Sequence, residues 1–104
     1  MKPSAFEYIR PGRLGEALEC LARHGEDARI LAGGQSLVAM MNFRLVQPKV
    51  LIDITDLKEL DTVRLDGDRI EVGAAATQAR FMAWPELATA SPLLAKALPH
   101  VGHF

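Results

Sequence analysis

The 104-residue sequence predicts a mixed α/β (α+β) chain, a small sheet packed with helices. Three observations carry that expectation. A strand-like segment from Ala28 to Ala32 leads into the pair Gly33-Gly34. A second, Val50-Leu51-Ile52-Asp53-Ile54, follows Pro48. Around them, apolar residues recur at helical spacing. A strand, a glycine turn, a short helix and a neighbouring strand make a compact unit.

The elements follow in order. Tyr8-Ile9-Arg10-Pro11 reads as extended, because Pro11 biases the residue before it away from helix. Leu14, Ala17, Leu18 and Leu21 keep the i, i+3, i+4, i+7 spacing of an amphipathic helix, with Glu19 and Arg23 four apart in support. Gly25 is a natural stop after His24, whereas Gly12 and Arg13 stand where Ser, Thr or Asp would cap better. After the glycine pair, Leu37, Val38, Met40 and Met41 predict a short, mostly buried helix with Arg44 near its carbonyl end. Thr62 to Leu65 and Arg69 to Val72 flank Asp66-Gly67-Asp68, a β-hairpin signal. Gly73 and Ala74-Ala75-Ala76 are small enough for close packing. Thr77 is a cap for a helix through Arg80, Phe81 and Met82, and Ser91-Pro92 opens a last helix faced by Leu94, Ala97, Leu98 and Val101.

The length fits one domain, residues 1–104, with no Pro/Gly/Ser linker, repeat or low-complexity segment. The apolar ending Val101-Gly102-His103-Phe104 points to part of a longer domain. A formal charge of −1, with no run of Lys and Arg, argues against a nucleic-acid surface. Cys20 is the single cysteine, so an internal disulfide is excluded. The N-terminus has no apolar signal-peptide stretch, and no segment has the roughly 18 apolar residues of a membrane span. A reducing cytoplasmic compartment is the simplest expectation.

The run Ile30-Leu31-Ala32-Gly33-Gly34-Gln35-Ser36-Leu37 carries the chemistry. Glycine removes the Cβ wall that would keep a pyrophosphate away from the backbone. The first N–H groups of the following helix lack internal acceptors and favour an anion. The run reads as a phosphate cradle, and a nucleotide is the natural owner of that phosphate. The plain alternative is an ordinary strand-to-helix turn that needs positive φ.

The surrounding residues carry a family resemblance. Leu31-Ala32-Gly33-Gly34-Gln35-Ser36-Leu37, Met41, Arg44-Leu45, Pro48 and Leu51-Ile52-Asp53-Ile54 resemble the FAD-binding (medium) subunit of molybdenum hydroxylases, the carbon monoxide dehydrogenase and xanthine dehydrogenase family. Phe6-Glu7-Tyr8 with Pro11, Ile70 to Thr77, and Leu98 to Phe104 resemble it too, in order and over essentially the whole chain. The resemblance implies the N-terminal subdomain of an FAD-binding fold of the vanillyl-alcohol oxidase/p-cresol methylhydroxylase type. It implies FAD as cofactor, with Ile30, Leu31, Ala32, Gly33, Gly34, Gln35, Ser36 and Leu37 at the dinucleotide and Val101 near the flavin. Gln35 stands where relatives often carry His, and Asn42 where many carry Lys. It further implies an iron–sulfur (small) subunit and a molybdopterin (large) subunit as partners, with substrate oxidised on the latter. Relatives also carry a second glycine-rich turn past the position of Phe104, which grips the same pyrophosphate from the other side.

Other chemistry-bearing residues have plainer readings. Asp53 reads as a strand-end carboxylate bonding nearby backbone. His24 suits a helix C-terminus, and His100 with His103 lack a third ligand for a metal. Met40 and Met41 read as core, Trp84 as packing over the last helix, Cys20 as a buried, inert thiol, and Asp61, Asp66 and Asp68 as a solvated hairpin. No nucleophile–base pair assembles, which suits a protein whose cofactor carries the chemistry. The competing readings are a truncated, non-catalytic interaction module, and an unrelated nucleotide-binding module with the same cradle.

Overall fold

The computed structural model describes residues 2–101. The chain folds as two compact units that divide between Glu59 and Leu60. The division falls inside a 3₁₀ turn, Lys58–Leu60.

The first unit contains β1 (Glu7–Ile9), α1 (Leu14–His24), β2 (Ala28–Leu31), α2 (Leu37–Asn42) and β3 (Val50–Asp53). Its three strands are all parallel in the order β1-β3-β2, with Ile9 and Ile30 both opposite Ile52. Every residue of the central strand β3 is buried, which is why it reads as an apolar run interrupted only by Asp53. Ala17 of α1, Met41 of α2, Ile54 and Leu57 complete the core around Ile52.

Helix α1 ends where expected, at Gly25 with φ 51°. Its N-terminus has no cap from Arg13; instead the Leu14 N–H donates to Glu59 Oε1 at 2.9 Å, a carboxylate from the far end of the unit. Three expectations need correction. Leu18 is exposed and Cys20 only half-buried, because a sheet of three short strands covers a narrow stripe centred on Ala17. Glu19 and Arg23 form no ion pair; the pair on this helix is Arg13–Glu16 at 3.2 Å.

Helix α2 is not mostly buried. Six residues make fewer than two turns and set only Met41 into the core, leaving Val38 and Met40 exposed. Arg44, at φ 56°, turns the chain out of the helix between Phe43 and Leu45, which are 65% and 74% exposed.

The second unit contains β4 (Val63–Asp66), β5 (Arg69–Val72), α3 (Gln78–Met82), α4 (Leu87–Ala90) and α5 (Pro92–Ala97). The strands form the expected antiparallel hairpin, closed by Gly67-Asp68 with Gly67 at φ 63°. Arg64 lies opposite Glu71 and pairs with it at 2.6 Å. Both expected caps are present: Thr77 Oγ1 accepts from the Arg80 N–H at 3.0 Å and Ser91 Oγ from the Leu94 N–H at 3.3 Å. The short helix α4, which buries Leu87, has no counterpart in the sequence reading. Trp84 packs beside Phe81, ring centroids 6.2 Å apart. Asp61 is not simply solvated, since its carboxylate pairs with Arg80. The last helix stops at Ala97 and a 3₁₀ turn, Leu98–His100, follows, so Val101 lies beyond the helix and is exposed. Pro99 has no N–H to continue the helical ladder.

Candidate functional site

The site grows from the carboxyl end of β2. The Leu31 carbonyl accepts from the Ile54 N–H at 3.0 Å, and this ties the strand end to β3. The chain then leaves the sheet through Gly33 and Gly34, at φ 85° and 80°. The two glycines serve different needs. A Cβ on Gly34 would stand 2.8 Å from Val38 Cγ2 and 3.0 Å from Leu31 Cδ1, so this residue is packed from within. A Cβ on Gly33 would meet nothing within 4 Å, so its backbone lies bare to the outside.

Helix α2 starts with Val38 N–H bonded to the Gly34 carbonyl at 3.0 Å. The N–H groups of Gly33, Gly34, Gln35, Ser36 and Leu37 find no acceptor among the described residues. Ser36 holds the N-cap position without making a capping bond, so its hydroxyl also stays free. A shallow depression of about 360 Å³ opens there, lined by Gly33, Gly34, Gln35, Val38, Ala39 and Asn42. Among the residues expected at the dinucleotide, Gly33, Gly34 and Gln35 line it. Ile30, Leu31, Ala32, Ser36 and Leu37 flank it along the chain. Val101 belongs to the second unit, where its carbonyl and that of Leu98 each accept from Gln78 Nε2 at 2.8 Å. Val38, Ala39 and Asn42 were not among the expected site residues, yet with Gln35 they follow the i, i+3, i+4, i+7 spacing of one helix face.

Asp53, at the end of β3, is 7% exposed and fully engaged by the chain. Its Oδ1 accepts from the Thr55 N–H at 2.9 Å and from the Thr55 hydroxyl, and its Oδ2 accepts from the Tyr8 hydroxyl. Burial pushes its carboxyl upward, but the bonds from Thr55 and Tyr8 outweigh it and hold the group below the usual carboxylate range. The same bond to Asp53 raises the Tyr8 phenol. Beside them Arg10 grips Asp56 through two bonds of 2.7 and 2.8 Å and lowers that carboxyl too. Asp53 is therefore a strut between β1 and β3 rather than a ligand group.

A pH dependence follows with a definite sign. The folded state binds Asp53's proton less readily than the unfolded chain, whose carboxyl titrates near about 3.9. The stabilisation is present above that value and is lost as pH falls through the lower, folded one. Acid unfolding followed by circular dichroism is expected to begin below about pH 4 and to be shallower in Asp53→Asn. At neutral pH, Asp53→Ala costs about 1–3 kcal/mol by leaving the Thr55 and Tyr8 donors without their acceptor.

Among the described residues no group of three or more His, Cys, Asp or Glu could hold a metal ion; His103 lies outside them. No helix among them is long and apolar enough to cross a membrane.

A glycine turn of this kind serves many ligands, and the remainder of the chain decides between them. Residues 4–104 match the FAD binding domain in molybdopterin dehydrogenase. The chain belongs to that family. Within it, the chain is 44% identical over 103 residues to the caffeine dehydrogenase subunit beta of Pseudomonas sp. (strain CBB1), covering 99% of this chain and 35% of that protein. It is 41% identical over 97 residues to the carbon monoxide dehydrogenase medium chain of Hydrogenophaga pseudoflava, covering 93% of this chain and 34% of that one. The fold matches a chain of quinoline 2-oxidoreductase from Pseudomonas putida 86 with a TM-score of 0.90 at 41% identity, over 100% of this chain and 36% of the other. The chain thus spans about a third of the length of its relatives in this FAD-binding family. FAD is the family's cofactor, and the turn suits it. A bare glycine backbone beside a run of unpaired N–H groups is what a diphosphate requires.

Proposed function

We propose that this chain forms one side of the FAD site in the flavin subunit of a molybdenum-containing hydroxylase. The observation that carries the proposal is the run of unpaired N–H groups from Gly33 to Leu37 over the exposed backbone of Gly33. In this reading Gly33, Gly34, Gln35 and Ser36 lie nearest the pyrophosphate, with Ile30, Leu31, Ala32 and Leu37 shaping the turn and Val101 nearer the flavin. Backbone dipoles supply most of the attraction, and the Ser36 hydroxyl adds a donor. FAD, when bound, supplies the redox chemistry. The chain's own contribution is to fix the position of the dinucleotide.

The same proposal extends to the assembly. The subunit takes electrons from an iron–sulfur partner and passes them through FAD to an acceptor, while substrate is oxidised on a molybdopterin subunit. The relatives' names span caffeine, carbon monoxide and quinoline, which fits a flavin subunit remote from the substrate.

Titration of the 104-residue chain with FAD, followed by flavin fluorescence, tests the reading. Weak binding is expected, becoming tight when a relative's segment bearing the second glycine-rich turn is joined after Phe104. In that joined protein Gly33→Ala, whose methyl points into the open depression, is expected to weaken FAD at least tenfold. Unchanged affinity in Gly33→Ala would refute the placement of the pyrophosphate.

A further inference from the structure

The depression at the glycine turn has no charged residue in its lining, whereas a diphosphate carries at least two negative charges. The charge that the turn lacks lies next door. A second depression of about 300 Å³, lined by Lys2, Asn42, Phe43 and Arg44, shares Asn42 as a common wall with the first. Neither Lys2 nor Arg44 has an acidic partner within 4 Å among the described residues, where the ion pairs are Arg10–Asp56, Arg13–Glu16, Arg64–Glu71 and Arg80–Asp61.

The backbone that carries Arg44 is fixed by its own bonds. Arg44 adopts a left-handed backbone, and its N–H bonds the Met41 carbonyl at 2.9 Å, so the residue emerges at the foot of α2. The N-terminal segment is laced to the chain that follows. Ser4 Oγ donates to Gln47 Oε1 at 2.8 Å, Gln47 Nε2 donates to the Arg44 carbonyl at 3.4 Å, and the Glu7 N–H donates to the Lys49 carbonyl at 2.8 Å. Lys2, two residues before Ser4, lines the same depression as Arg44.

We propose that Lys2 and Arg44 form a cationic rim that attracts the diphosphate of the dinucleotide across Asn42. The proposal rests on the placement of the pyrophosphate at the Gly33-Gly34 turn. The backbone N–H groups provide short-range contact and shape, and the rim provides net charge. A solvated cation roughly 10 Å from a dianion strengthens binding about threefold, and salt screens that gain.

Amide-resolved NMR titrations of the 104-residue chain with ADP and with adenosine separate the possibilities, because they read millimolar affinities and locate the ligand. ADP at low salt is expected to shift the amides of residues 33–37, and adenosine to leave them unmoved. Arg44→Asn, which removes the charge but tolerates the left-handed backbone, and Lys2→Gln are each expected to weaken ADP about threefold, with little loss at 0.5 M salt. Arg44→Lys should bind as the parent does. Equal ADP affinity in the parent, Lys2→Gln and Arg44→Asn at low salt would overturn the rim while leaving the turn in place. Absence of shifts at residues 33–37 with ADP would overturn both.

Discussion

Gly73→Ala is expected to unfold the hairpin unit. A Cβ at this position would lie 1.9 Å from the Leu60 carbonyl oxygen and 2.6 Å from its carbon, and neither atom belongs to a side chain that can swing away. The surrounding backbone is fixed by its own bonds, with the Gly73 N–H on the Thr62 carbonyl at 2.8 Å and the Ala75 N–H on the Leu60 carbonyl at 3.0 Å. A single methyl therefore forces apart the base of the β4–β5 ladder. The cost is expected to exceed about 4 kcal/mol, in the range that abolishes a small unit. Loss of the cross-strand NMR contacts between Arg64 and Glu71 would report it. Retention of those contacts, with stability within about 1 kcal/mol of the parent, would refute the close approach.

The second large effect separates the two glycines of the turn. Gly34→Ala carries a left-handed penalty of about 1–2 kcal/mol, plus about 1–3 kcal/mol for pressing a methyl against Val38 and Leu31. Gly33→Ala carries only the first term, since its methyl points into open space. Urea unfolding should rank Gly34→Ala well below Gly33→Ala, and adding Val38→Ala should recover part of the difference for Gly34 only. Equal losses would show that the turn is not packed as described. On the proposed placement of the pyrophosphate, FAD binding should respond in the opposite order per unit of lost stability, because a Cβ on Gly33 points into open space and one on Gly34 into Val38 and Leu31.

The legible parts of the sequence were those where one residue type has one local job. Gly25 and Gly67 supply positive φ, Thr77 and Ser91 cap, and Pro92 starts a helix; each acts within a few residues of itself. The buried strand β3 declared itself because both its faces are covered. The misread parts depend on distant chain. Nothing local distinguishes Leu18, which stays exposed, from Ala17, which is buried, until the size of the sheet is known. The capping of α1 by Glu59, and the bond from Tyr8 to Asp53, join residues from opposite ends of the first unit. At the site, the turn at Gly33 and Gly34 was readable from the glycine pair, whereas its expected role came from the residues around it. The exposed face that Val38 shares with Ala39 and Asn42 was hidden by the expectation that the short apolar helix is mostly buried.

The strand order has a consequence for how this protein comes into being. β1 and β2 never touch as neighbours; each is paired only with β3, which is synthesised after both. No two-stranded precursor can form while the nascent chain is shorter than Val50, so two strands wait unpaired and the loop closures they need are long. The glycine turn is made early but acquires its shape late, when Ile54 reaches back to the end of β2. During synthesis the turn therefore waits for Ile54, more than 20 residues beyond Leu31, before its strand end is held in place.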